Sequence, residues 1–210
     1  MSRERHIPPR SGTAGSERAS TGRVPDDVLL DAARACVLTG GVRRTTLTDI
    51  ARTAGVSRMT LYRRYPDVRS ILAALMTREL GALLHGVNAT VAVALPARSR
   101  LVELGVAAVR ALVADPLLRT VLDRDAELLL PYITERVGST QRLAEQVLAD
   151  LIAQGHADGS VRVGDPAVQV RALLLTVQSF VLSWRPATRD VPAEPLLSEL
   201  RHLLERSLTP

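Results

Sequence analysis

Arg58, Met59, Tyr62, Arg63 and Arg64 fall within seven residues and form the densest group of side chains with recognisable binding chemistry in the chain. A guanidinium is a planar, permanently charged fork that matches phosphate oxygens. Three arginines and a tyrosine on the solvent side of one short helix are what a phosphate-rich partner demands. Catalytic chemistry finds much less support. His6, His85, His156 and His202 lie in a tail, a helix and two surface-like settings, and no motif sets a Ser or Cys nucleophile beside any of them. His156 with Asp158 is the best acid–base pair available, and the chain is expected not to be an enzyme. Cys36 is the single cysteine, which excludes an intramolecular disulfide framework. Neither a Gly-rich phosphate loop nor a metal-ligand spacing occurs, so no cofactor and no metal are expected.

The elements that must hold these side chains lie on either side of Gly55. Leu47, Ile50, Ala51 and Ala54 share one helical face, and Thr46 or Thr48 supplies a hydroxyl for the first turn. Gly55 takes the left-handed conformation of a tight helix-to-helix turn, and Val56 plugs the angle. Ser57 caps a second helix that turns Leu61 and Tyr65 inward. Ala51 must be small because the second helix crosses closely there.

From about residue 25 to residue 72 this pattern resembles the DNA-binding domain of the TetR family of transcriptional regulators. The likeness includes the ending Gly55-Val56-Ser57-x-x-Thr60-Leu61-Tyr62-x-x-Tyr65-Pro66. It implies a partner in double-stranded operator DNA, with Arg58, Met59 and Arg63 at base-reading positions. Thr60, Tyr62 and Arg64 then stand at or beside backbone-contacting positions, joined by Thr46, Thr48, Ser57, Arg43, Arg44 and Arg69. Arg58 or Arg63 suits guanine O6 and N7, and Met59 suits a thymine methyl. Where many members carry a Lys after the cap of the fourth helix, this chain has Val68, with Arg69 as a substitute from the next position.

Composition agrees. Hydrophobic residues make up 46% of 210, there is one Phe and one Trp, and all 27 basic residues are arginine. Residues 1–72 hold 13 Arg against 7 acids, a balance of +6, and the remainder holds 14 against 15, a balance of −1. The positive field therefore belongs to the helix-turn-helix end. The expected fold is all-α, with a disordered basic tail at 1–23, a three-helix DNA-binding domain at 24–72, and a helical ligand-binding and dimerisation domain at 73–210. The longest apolar run, around Ala172 to Trp184, is read as too short and too polar for a membrane span, and the N-terminus has no signal-peptide pattern. A soluble cytoplasmic protein without membrane association is expected.

Further along, Pro25-Asp26-Asp27 opens the first helix and Gly40-Gly41 ends it. Asp67 caps a long connecting helix to about Val91, with an inter-helix break near residues 95–97. Residues 98–114 are apolar on nearly every side, the mark of a buried helix. Asp115-Pro116 and Asp165-Pro166 cap further helices, another begins near Asp125 and is interrupted at Pro131, and Gly155 is expected to stop the helix from Ser139. The helix after Asp165 runs to about Trp184, and Pro192 starts the last one.

Too much of the circumference of the helix after Asp165 is apolar for one core, so a second buried face and a homodimer are expected. The resemblance places that interface on the last two helices, here Val168, Leu175, Leu182, Trp184, Leu197, Leu200, Leu204 and Leu208. It also implies an unidentified small-molecule effector in the C-terminal domain. Leu83, Val102, Val106, Val109, Leu122, Leu129, Tyr132 and Phe180 are the candidate pocket walls, and scarce aromatics favour an aliphatic or acyl ligand. The resulting expectation is a ligand-responsive regulator, a repressor that leaves its operator when ligand moves the two recognition helices out of half-site spacing, about 34 to 36 Å or a multiple of it. A DNA-bound regulator whose C-terminal domain engages a protein, or an activator, are the alternatives.

Overall fold

The computed structural model describes residues 24–129 and 138–210, and among the described residues there are nine α-helices and no strand. The tail at 1–23, Pro131, Tyr132 and the side chain of Leu129 lie outside the described residues. The helices are α1 Asp26–Gly40, α2 Leu47–Thr53, α3 Arg58–Arg64, α4 Val68–Thr90, α5 Ala97–Ala114, α6 Pro116–Arg124, α7 Ser139–Ala157, α8 Pro166–Ala187 and α9 Ala193–Leu208. A short 3-10 turn, Ala126–Leu129, follows α6.

Local chemistry sets most of these boundaries. The Thr46, Ser57, Asp67, Asp115 and Asp165 side chains each accept a hydrogen bond from a backbone amide in the first turn that follows, satisfying donors a helix start leaves open. Gly55, at φ +66°, ends α2: its amide donates to the Arg52 carbonyl and the Val56 amide to that of Ala51.

Two hydrophobic cores result. The first gathers Leu29, Ala33 and Val37 of α1, Ile50 and Ala51 of α2, Leu61 of α3, and Ile71 and Leu75 of α4. It also takes Leu117 and Val121 of α6, both buried, so packing crosses the division expected at residue 72. The second core surrounds α5, which is buried through Leu101, Val102, Leu104, Val106 and Val109 as its all-round apolar pattern predicts. α7, α8 and α9 all pack on α5.

Gly155 does not stop α7, which continues to Ala157. A Cβ at Gly155 would lie 2.3 Å from Val161 Cγ2, so the glycine lets the following loop fold back tightly onto the helix. That loop supplies the N-terminal cap α5 lacks: the Ala97 amide donates to Asp158 Oδ2 at 3.3 Å and the Arg98 amide to Ser160 Oγ at 3.2 Å. The connecting helix ends at Thr90, beside the expected Val91, and α5 begins at Ala97. α8 also departs from its reading: with 22 residues and a mean hydropathy of 1.3, it is long and apolar enough to cross a membrane by length and composition. Its Val170, Leu173 and Val181 are nonetheless packed into the second core.

Candidate nucleic-acid interface

Leu61 anchors α3. Fully buried beside Ile50 and Ala51, it contributes about 1.5 to 3 kcal/mol by leaving water and fixes which residues face out. The outward set is Arg58, Met59, Tyr62 and Arg63, with Met59 75% exposed and Tyr62 46%. Two large apolar side chains left in water on a seven-residue helix are a cost that a partner surface removes. Arg44, Arg58, Arg63 and Arg69 are exposed, and among the described residues none has a carboxylate partner. Of these, Arg44 precedes α2, Arg58 and Arg63 lie on α3, and Arg69 lies in the first turn of α4.

Several hydroxyls assigned to the partner serve the motif itself. Thr46 Oγ1 accepts from the Asp49 amide at 3.1 Å and donates to the Asp49 carboxylate at 2.6 Å, and Asp49 in turn receives Arg52 at 2.8 Å. Ser57 Oγ accepts from the Thr60 amide at 3.1 Å and shares a hydrogen bond with Thr60 Oγ1 at 2.8 Å. Thr48 is half-buried in the first part of α2. These groups hold α2 and α3 at their starts, so their first role is positional. Val68 packs against the first core, and Arg69 stands exposed one residue on.

Arg64 is engaged within the protein: its side chain is partly buried and forms an ion pair with Asp26 in the first turn of α1. That hydrogen bond raises the Arg64 pKa, and burial raises that of the neighbouring Tyr65 hydroxyl. Arg43 is exposed yet engaged. Its Nε donates to Glu127 Oε1 at 2.7 Å, and Asp125 Oδ1 lies 3.8 Å away. Backbone hydrogen bonding in its own turn, then Arg43, holds the Glu127 carboxyl below the usual range. Sequence reasoning missed Asp26, Asp125 and Glu127, and no local pattern marks them, because each meets its arginine or amide across 38 to 84 positions of chain.

Two struts tie this surface to the second core. On α4, Arg78 pairs with Asp27 at 3.3 Å and Asp31 at 2.7 Å of α1, while Arg34 of α1 pairs with Glu79 at 3.0 Å. The far half of α4 packs Leu80, Leu83, Leu84 and Val87 against the α5 core. α6 is the other strut, with Leu117 and Val121 in the first core and Leu118 and Leu122 at the second.

Of the candidate pocket walls, Val102, Val106 and Val109 are buried, Leu83, Leu122 and Phe180 are half-buried, and all six belong to the α5 core. The dimer candidates divide. Val168 is 64% exposed and Leu175 58%, both on α8, whereas Leu182 is half-buried and Trp184 packs on the α5 core. Leu197, Leu200, Leu204 and Leu208 are no more than 3% exposed and fill the protomer's own interior against α5, so the α9 stripe is not a free face. The outward leucine of α9 is Leu203, 53% exposed. Among the described residues no group of three or more His, Cys, Asp or Glu is placed to hold a metal.

Residues 29–75 match the bacterial regulatory proteins of the tetR family, and residues 94–187 match the tetracyclin repressor-like C-terminal domain. Over 189 residues the chain is 38% identical to the uncharacterised HTH-type transcriptional regulator Mb2274c of Mycobacterium bovis, spanning 90% of this chain and 95% of that one. Among solved structures, a protein of unknown function from Rhodococcus sp. RHA1 is similar at a TM-score of 0.68 and 19% identity, covering 93% of this chain and 100% of the other. The transcriptional regulator FadR from Bacillus subtilis, in complex with stearoyl-CoA, is similar at a TM-score of 0.65 and 19% identity, covering 88% and 100%.

Proposed function

The chain belongs to the TetR family of transcriptional regulators, and from that premise we propose that it is a repressor that binds a pseudo-palindromic operator as a homodimer and is released by a small molecule. The observation that carries the DNA half is the outward face of α3, where Arg58, Met59, Tyr62 and Arg63 stand exposed around the buried Leu61, the two arginines without a carboxylate partner among the described residues. Arg58 and Arg63 read base edges and Met59 meets a thymine methyl. Arg44, Arg69 and Arg43 take phosphates, which fix register without reading sequence. Two copies join through α8, whose Val168 and Leu175 are the large apolar side chains left in water there.

The effector is an aliphatic or acyl molecule received among the α5 core residues, which are mainly valine and leucine with Phe180 and Trp184 as the aromatics packed on them. The stearoyl-CoA in the Bacillus subtilis relative supports this class. Ligand entry spreads α5 from α4 and α6, and both struts carry the change to α1–α3 as a shift between two pre-existing arrangements. The protein works in the cytoplasm, where its operator lies.

A footprint on the chain's own upstream DNA across a series of salt concentrations tests the reading. Protection of a symmetric site, weakening steeply with salt, is the expected result. Failure to protect any symmetric site at low salt overturns it. In a thermal-shift screen of acyl-CoA thioesters of increasing chain length, a ligand that raises the melting temperature is also expected to weaken the footprint.

A further inference from the structure

Asp125 ends α6 with its side chain buried, 1% exposed, and its carboxylate accepts hydrogen bonds from the backbone amides of Val42 at 2.7 Å and Arg43 at 3.3 Å. Gly41 makes room for this clasp. It holds φ +78°, and a Cβ there would stand 3.0 Å from Asp125 Oδ2. The α1–α2 loop is thereby fastened to the start of the 3-10 turn. Two residues beyond Asp125, Glu127 takes the Arg43 guanidinium, with Nε at 2.7 Å and a terminal nitrogen at 2.6 Å. This pair lies at the surface, the Arg43 side chain 68% exposed and that of Glu127 42%.

We infer that Glu127 is an internal competitor for Arg43. In the free protein its carboxylate occupies the guanidinium edge that an operator phosphate takes, and the buried Asp125 clasp sets the two side chains opposite one another. The inference rests on the operator-binding reading above. Carboxylate and phosphate oxygens accept from the same fork of N–H groups, so Arg43 cannot give that edge to both. An exposed ion pair is weak enough for DNA to displace. Operator binding therefore breaks one ion pair within the protein, and the affinity is lower by that amount. Asp125 and Glu127 follow α6 directly, and α6 contributes to both cores. The C-terminal half of the chain thus sets how available one phosphate-binding arginine is without touching α3.

The test is fluorescence anisotropy of the full chain on labelled duplexes tiled across its own upstream region, comparing wild type, Glu127→Gln, Arg43→Gln and the double variant. Glu127→Gln is expected to bind about two- to fivefold tighter, the range an exposed ion pair spans. Arg43→Gln binds more weakly, and the double variant matches Arg43→Gln alone. Equal binding by wild type and Glu127→Gln overturns the inference and leaves operator binding standing. A gain that survives in the Arg43→Gln background also overturns it, because removing any acid near DNA gives that result. Absence of binding by all four proteins at low salt removes the operator reading itself, and the competition with it.

Discussion

Arg64, in the last turn of α3, is ion-paired with Asp26, in the first turn of α1, and the pair staples the recognition helix to the helix that braces it. Each charge also sits at the favourable end of its own helix dipole. Arg64→Ala is therefore expected to lower the melting temperature, with Asp26→Asn doing the same and the double variant adding little. Well below melting, its operator affinity should keep the wild-type salt dependence. A slope in log affinity against log salt shallower by about 0.9 would instead mark Arg64 as a phosphate contact.

Arg58 and Arg63 make the opposite case, since both are exposed and, among the described residues, neither has a carboxylate to leave. Replacing either by Ala is expected to cost about 1 to 3 kcal/mol of binding free energy and to relax one base position. Binding selections with each variant read this directly. An unchanged sequence preference would remove both from base reading.

How far the chain could be read in advance depended on the range of the interaction. The cap residues Ser57, Asp67, Asp115 and Asp165 and the turn at Gly55 act on amides within a few positions, and each was legible. Gly155 was misread because a helix-ending glycine and a glycine under a close crossing look alike in sequence. The Val161 side chain occupying its Cβ position decides between them. The α9 stripe of Leu197, Leu200, Leu204 and Leu208 was likewise legible as a stripe. A periodic face does not specify whether its own protomer or a second copy covers it, and here α5 does, with Leu204 Cδ1 set 2.7 Å from where a Gly105 Cβ would be. The partners of Arg43 and Arg64 depend on tertiary contacts alone.

Leu117 and Leu118 are neighbours in α6 that enter different cores, both at 5% exposure or less. Leu117→Ala should cost about 2 to 5 kcal/mol, as a large-to-small change in a packed core does. Hydrogen exchange locates the damage. Leu117→Ala is expected to speed exchange in α1 and α2, and Leu118→Ala in α5. The same exchange pattern for both variants would mean that the two cores open as one.

Asp158 carries the acid sensitivity of the α5 cap. Hydrogen bonds from the Ser160 hydroxyl and amide and from the Ala97 amide hold its pKa below the ordinary carboxylate value. A depressed folded pKa stabilises the protein above the unfolded value, about 3.9, and that contribution fades as pH falls through it toward the lower folded value. The difference in melting temperature between wild type and Asp158→Asn should be present at neutral pH and shrink steadily below about pH 4. A difference that stays constant through that range would show that Asp158 does not act through its charge.

Leu175 and Leu204 separate assembly from folding. Leu175 is 58% exposed on α8, on an outer edge it shares with exposed Val168 and Ala172, whereas Leu204 is 2% exposed on the face of α9 that packs on α5. Apolar side chains aligned at spacings of four and three residues on a helix's solvent side are stabilised by a second copy bringing the same face, the self-complementary contact of a two-fold dimer. Leu175→Glu then places two carboxylates across that contact. It should give a monomer by sedimentation with helicity unchanged, and weaken operator binding because each protomer then meets one half-site alone. Leu204→Ala leaves the face intact and removes core contacts, so it should lower stability by about 2 to 5 kcal/mol while the protein that remains folded stays dimeric. A dimer that survives Leu175→Glu with unchanged affinity would move the interface off this edge of α8.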